Sequence, residues 1–324
     1  MNEQWKIKNP KIKTLDCTIR DGGLVNSHRF SFEFVLALYR ACADAKVDYI
    51  EIGYKNSDKI FAPDEFGDWK YCKEDVIRRI VDDAPEAKIK LSCMVDAGKS
   101  EWKTDVVPCA QSPLDMIRVA FYAHQVDEAL AMIDDAWNKG YEVSANLMAV
   151  TALEEPILDS VLQRLSTSPA SVFVIVDSFG AIIPSQAEYL TQKYLNYAQD
   201  SGKEVGMHAH NNLQLAFANT LKSIQCGATR VDATVGGLGR GAGNCPMELL
   251  LGAVNVEQYR IRPIYKLLQQ EFIALRQQIE WGPFAEFMLT GQHNVHPKAA
   301  IDARKDLDTR DRVCDLFDQL EAQK

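Results

Sequence analysis

Several features that would assign a class at once are missing from these 324 residues. No run of about 18 apolar residues occurs, so no membrane-spanning helix is expected. Residues 1–13 are polar and hold no apolar signal core, which points to the cytoplasm. The eight cysteines, at 17, 42, 72, 93, 109, 226, 245 and 314, include no C-x-x-C pair. That scatter predicts neither a disulfide framework nor a cysteine-based structural zinc site. A basic surplus is also absent: 36 Lys and Arg stand against 45 Asp and Glu, a net charge of −9. A general binder of nucleic-acid phosphates needs the opposite balance, although one or two local cations can still hold a small anion. Repeats and low-complexity segments are lacking too. What remains, 47% hydrophobic and 25% charged residues, is globular composition.

Short β-rich runs alternate with amphipathic helical runs, which predicts β/α units around a parallel sheet. Strands are expected at 13–19, 49–54, 89–95, 116–121, 142–149, 172–176, 205–209 and 230–235. Near-continuous apolar runs such as V-F-V-I-V at 172–176 suit strands buried on both faces. Helical stripes occupy 31–45, with Ser31 as N-cap, and about 73–81, 126–137, 154–165, 185–199, 213–226 and 246–257. Residues 98–113 have room for only a short helix. Eight units in about 250 residues predict a closed (β/α)8 TIM barrel, with a doubly wound sheet as the competitor. The expected division is a metal-dependent catalytic barrel at 1–256 and a C-terminal helical extension at 257–324, beginning with a helix near 263–280 and packing on the barrel.

Four predicted strand ends carry chemistry. M-H-A-H-N-N at 207–212 puts His208 and His210 on one side of a strand. Two neutral imidazoles there suit a divalent metal, or they are polar residues ending a strand. L-D-C-T-I-R-D-G-G at 15–23 offers Asp21 as an oxygen ligand and Arg20 as a fixed cation, or a surface ion pair at a glycine turn. Glu51, in I-E-I-G-Y at 50–54, is a carboxylate in an apolar strand and needs a partner, for which Arg20 is the obvious choice. The pair is structural, catalytic or both. The glycine-rich stretch 236–246 can bring backbone N–H groups, at Gly241 and Gly243 among others, close to an anion. Its G-x-G-x-x-A match is not a dinucleotide fingerprint, because no further strand completes a βαβ unit. Asn244 offers a ligand oxygen or a substrate hydrogen bond, or caps the next helix.

These motifs, in this order, resemble the HMG-CoA lyase-like metallolyase superfamily over roughly residues 13–256. Within it the chain is most similar to 4-hydroxy-2-oxovalerate aldolases, through D-x-T-x-R-D-G, D-Y-I-E-I-G, H-A-H-N-N-L and G-A-G-N-C-P. The resemblance implies a TIM barrel with a divalent ion at its mouth, Mn²⁺ before Mg²⁺, Zn²⁺ or Co²⁺. It implies Asp21, His208 and His210 as ligands, Asn244 as a ligand in some members, and Arg20 as the residue that stabilises an enolate. Glu51 completes a triad with Arg20 and Asp21. The implied reaction makes or breaks a C–C bond of a 2-oxo acid through a metal-bound enolate. A condensing acyltransferase of the isopropylmalate-synthase type and a non-catalytic ligand-binding barrel are the alternatives.

The chain departs from the aldolase pattern in one important place. Leu24 stands where those enzymes carry a His general base, and leucine cannot transfer a proton. Tyr54, Tyr122, His293 and His296 are the other acid/base candidates. His293 and His296 rank first, because H-x-x-H-P in a C-terminal loop can close over the mouth. The extension does not resemble the aldolase segment that contacts an aldehyde dehydrogenase, which argues against that partner. The G-C-P-Y loop of acyl-CoA lyases is missing as well. A homodimer is the base-rate expectation. Specificity for the aldehyde half is expected in loops such as 55–69.

Overall fold

The computed structural model describes residues 7–254, 257–306, 308–310 and 312–322. Eight strands form its centre: β1 Lys13–Asp16, β2 Tyr49–Tyr54, β3 Lys90–Asp96, β4 Met116–Phe121, β5 Glu142–Leu147, β6 Val172–Asp177, β7 Glu204–Ala209 and β8 Arg230–Ala233. Each pairs in parallel with the next. β8 returns to β1 through Lys13↔Arg230 and Asp16↔Ala233, closing the ring. The molecule is a TIM barrel, and the closure excludes the doubly wound sheet. Strands such as β6 are buried along their whole length because the helices cover them outside and side chains fill the barrel inside.

The helices of the barrel are α1 Thr18–Gly22, α2 Phe32–Asp44, α3 Glu74–Asp82, α4 Trp102–Asp105, α5 Val126–Asn138, α6 Glu155–Ser166, α7 Pro184–Ala198, α8 Ala216–Cys226 and α9 Met247–Ala253. Ser31 caps α2 by accepting the Phe34 N–H at 3.2 Å. The interval 98–113 holds only the single turn α4 and a 3₁₀ turn at Cys109–Gln111.

Two strand ends differ from the sequence expectation in ways that shape the site. β1 stops at Asp16, three residues early. The Asp16 carboxylate accepts the Thr18 N–H (3.1 Å) and the Thr18 hydroxyl (2.7 Å), turning the chain into α1. Arg20 and Asp21 therefore sit on a helical turn. β2 carries one extra residue, since Glu51 pairs with Ser92 but Tyr54 with Met94. This bulge shifts the side-chain alternation, so that Tyr54, three residues after Glu51, also reaches the barrel interior. Gly53 makes the bulge possible: at φ +151° a Cβ there would lie 2.1 Å from the Trp69 carbonyl oxygen.

Beyond the barrel, the helix expected near 263–280 is α10 Arg262–Leu267, a π turn at Leu268–Phe272, and α11 Ile273–Leu275. Then come α12 Ala285–Gln292, α13 Lys298–Lys305 and α14 Val313–Glu321. Phe287, Ala300, Leu316 and Leu320 form a small core of their own, and Ala242 of the glycine-rich loop joins it. Asn212, just after β7, donates toward the Phe287 carbonyl and the Thr290 hydroxyl, both at 3.3 Å. The extension thus lies against the loops at the C-terminal ends of the strands. The division anticipated after residue 256 falls at 255–256, outside the described residues.

Candidate functional site

Strand closure brings the ends of β1, β2, β7 and β8 to one mouth. Asp21 is fully buried there, and its Oδ2 lies 3.4 Å from His208 Nε2 and 3.5 Å from His210 Nε2. The other nitrogen of each ring is already engaged. His208 Nδ1 is 3.0 Å from Asp232 Oδ2, and His210 Nδ1 is 2.9 Å from the Asp177 carbonyl oxygen. Both acceptors favour the Nδ1–H tautomer and leave the Nε2 lone pairs aimed at the point Asp21 faces. One ligand atom from each residue lies within 4.8 Å of the others, a group able to hold a metal ion.

The polar atoms without partners fit that occupant. His210 Nε2 and both side-chain heteroatoms of Asn244 are buried without any hydrogen-bond partner, an arrangement that is costly unless something else binds them. Asn244 therefore does not cap α9. Space is reserved as well: a Cβ on Gly239 would sit 2.5 Å from Asn244 Nδ2 and 2.9 Å from Asp21 Oδ1. Cys17, His208 and Asp232 form a second cluster. Burial pushes the Cys17 thiol well up, and Asp232 is committed to Arg118, so this cluster suits a metal less well.

Charge is fixed around the group. Burial alone would raise the Asp21 pKa, but the Arg20 guanidinium and His210 hold its carboxyl well below the usual range. Arg20 Nη1 donates to Asp21 Oδ2 at 2.6 Å and Nε to Glu51 Oε2 at 2.7 Å. Burial pushes His210 down to about 4. For His208, burial pulls downward but Asp21 and Asp232 together hold the ring above its ordinary value.

Two further charged residues complete the network, and the sequence reading passed over both. Arg118 on β4 donates to Glu51 Oε2 (3.0 Å) and to Asp232 Oδ2 (2.5 Å) on β8. A continuous chain of contacts thus runs from Arg20 through Glu51, Arg118 and Asp232 to His208. Burial would raise Asp232, but Arg118 and His208 hold it down at about 2. The missed signal is the one that singled out Glu51: a lone charge within an apolar strand, M-I-R-V-A-F for Arg118 and R-V-D-A for Asp232.

A cavity of about 250 Å³ opens above this centre. Arg20, Asp21, His208, His210, Tyr54, Tyr122, Leu24 and His296 all line it. His296 stands 3.2 Å from Arg240 Nη1 and edge-on to Phe179; burial, with Arg240 beside it, pushes its pKa down to about 4. Burial drives the Tyr54 phenol well above its ordinary value, so it keeps its proton. Other expected residues are not brought here. His293 caps the end of α12 and packs against Glu321 (3.4 Å) and Phe317, outside the cavity lining, because only the loop after it turns back to the mouth. Gly241 and Gly243 are also outside the lining. At φ +65° and +83° they shape the loop, and a Cβ on Gly243 would meet the Gly237 carbonyl oxygen at 2.0 Å.

Comparison with known proteins agrees with this architecture. A 4-hydroxy-2-oxovalerate aldolase of Geobacillus thermodenitrificans is 27% identical over 93% of this chain and 88% of its own length. An oxaloacetate decarboxylase of Mycobacterium tuberculosis is 30% identical over 74% of this chain and 69% of its own. Among solved structures, the N-terminal domain of a candidate aldolase from Bacteroides vulgatus superposes with a TM-score of 0.74 at 27% identity, covering 93% of this chain and 99% of that one. The carboxyl transferase domain of Rhizobium etli pyruvate carboxylase, at 16% identity and a TM-score of 0.72, covers 97% of this chain and 56% of that one and shares the fold. The HMGL-like family profile matches residues 11–277, and the chain belongs to that family.

Proposed function

We propose that the protein is a divalent-metal-dependent lyase of the 4-hydroxy-2-oxovalerate aldolase type, cleaving or forming a C–C bond of a 2-oxo acid through an enolate. The observation that carries this reading is the convergence of Asp21 Oδ2, His208 Nε2 and His210 Nε2, with both Nδ1 atoms tied back. These three would hold the ion, with Asn244 as a fourth donor. A mixed oxygen and imidazole set suits Mn²⁺, Co²⁺ or Zn²⁺, and Mn²⁺ is the ion we expect. When bound, the ion supplies Lewis-acid polarisation of the substrate's keto oxygen. The cytoplasm belongs to the same reading, supported by eight cysteines that are all unpaired.

The chain's own residues do the rest. Arg20 is locked by Glu51 and Asp21, so its guanidinium needs no reorganisation as enolate charge develops beside it. Tyr54, protonated and lining the cavity, donates a hydrogen bond. His296 is neutral at pH 7 and stands in for the histidine absent at Leu24; its Nε2 would take the proton from the C4 hydroxyl during cleavage once substrate displaces Arg240 Nη1, which lies 3.2 Å from that atom. Release of pyruvate from a 4-hydroxy-2-oxo acid, dependent on added Mn²⁺, tests the assignment; absence of release over a broad panel of such acids would sink it.

Leu24 favours a second reading, decarboxylation of a 2-oxo dicarboxylic acid. Loss of CO₂ leaves the same enolate without removing any hydroxyl proton, so a missing base costs nothing. The similarity to the Mycobacterium tuberculosis oxaloacetate decarboxylase supports it. His296→Gln separates the two: it lowers aldol cleavage about 10²-fold or more and spares decarboxylation.

A further inference from the structure

The lining of the mouth cavity carries charge that the enolate chemistry does not use. In a protein of net charge −9, the lining carries Arg20, Lys70, Lys99, Arg118 and Arg240 against only Asp21 and Asp96. Most of these cations are matched. Arg20 and Arg118 share Glu51, Asp21 and Asp232. Lys99 lies 3.2 Å from Asp96, and Arg240 donates to the Ser178 carbonyl at 2.8 Å, although its Nε is buried without a partner. Lys70 is different. It is 6% exposed, and among the described residues its ammonium has neither an ion pair nor a hydrogen bond. Only three aromatic rings hold it, with centroids at 4.0 Å (Phe61), 5.0 Å (Tyr54) and 5.2 Å (Phe66).

That cage does not offset the loss of water: burial pulls Lys70 down to about 8, against a weaker opposing pull from Asp96. A charge held at a net cost, facing a cavity and stripped of counterions, is poised for an anion delivered by a ligand. Arg20 and the ligand triad account for the 2-oxo acid group, which leaves Lys70 for a second anion on the same ligand.

We propose that Lys70, with Lys99 and Arg240, selects substrates whose distal end carries an oxyanion, a carboxylate or a phosphate, in addition to the 2-oxo acid group. This rests on the lyase reading and names the class of its substrate: a 2-oxo acid with two anionic ends. Phe61 and Phe66 come from the 55–69 loop, which thereby sets the position of the Lys70 head. Lys70 acts by recognition, not on the reacting atoms.

The test is calorimetric binding to the Mn²⁺-loaded protein of three 2-oxo acids of equal length, ending in carboxylate (2-oxoadipate), phosphonate or methyl (2-oxohexanoate). The wild type is expected to bind an anionic tail at least about tenfold more tightly than the methyl tail, and the tighter of the two identifies the oxyanion. In Lys70→Met the ratio falls to within about twofold of one, and in Lys99→Met, a half-exposed change, by two- to threefold. Circular dichroism and retained Mn²⁺ binding check the fold of the variants. Equal binding of all three tails by the wild type, or a ratio untouched by Lys70→Met, overturns the proposal while leaving the lyase reading intact. Failure of all three acids to bind overturns both. A Lys70→Met variant that loses turnover equally on neutral-tailed and anionic-tailed substrates places Lys70 at the reacting atoms and also overturns it.

Discussion

Asp232 holds His208 Nδ1 at 3.0 Å and is itself held by Arg118. In the proposed centre it would act on the ion without touching it, by setting which imidazole nitrogen presents a lone pair. Asp232→Asn is expected to weaken Mn²⁺ binding about 10–100-fold with the secondary structure preserved, measured by calorimetry and circular dichroism. Lys70 gives a prediction of the opposite kind, in which function costs stability. Its folded-state value of about 8 lies below the ordinary 10.5, so between those pH values the unfolded chain holds the extra proton. Below pH 8, Lys70→Met should be about 3 kcal/mol more stable than the wild type. The difference should vanish as pH rises from 8 to 10.5, read from urea unfolding at several pH values. At this scale the sequence was legible where a motif was local. Asp21, His208 and His210 were readable from two short strings, whereas Arg118 and Asp232, 114 positions apart in contact, needed the closed ring to meet.

Elements decide where those side chains point. The two-residue alternation at the end of β7, continued by His210 one residue past Ala209, places both imidazoles on one side, as H-x-H implied. Period alone did not reveal the bulge in β2 or the turn that ends β1, because both depend on single local contacts: the Trp69 carbonyl against Gly53, and the Asp16 carboxylate on Thr18. Nor did it separate His293 from His296, since one closes a helix and the other lies in the loop beyond it. The glycine-rich loop is the most sensitive element. Gly239→Ala would press a methyl group against Asn244 and Asp21, and is expected to lower Mn²⁺ affinity at least about tenfold while circular dichroism stays unchanged. An unaltered affinity would show that the loop can yield.

For the whole molecule, the barrel was legible because eight β/α alternations need closure to bury both faces of every strand. The C-terminal helices were legible only as an extension, because their small core depends on Ala242 from the glycine-rich loop. Since an ion would bind residues drawn from both the first and the seventh β/α units, it would tie distant parts of the chain together. Mn²⁺ at about a hundred times its dissociation constant should stabilise the fold by about 2.7 kcal/mol. For a chain of this size that raises Tm by roughly 4 °C, a shift that scanning calorimetry detects and that EDTA should reverse.

The most direct measurement is a Mn²⁺ titration followed by electron paramagnetic resonance of the free ion, on the wild type and on the His208→Ala and His210→Ala variants. The expected result is one ion per wild-type chain and at least about 100-fold weaker binding in each variant. Unchanged stoichiometry and affinity in both variants would contradict the proposed centre.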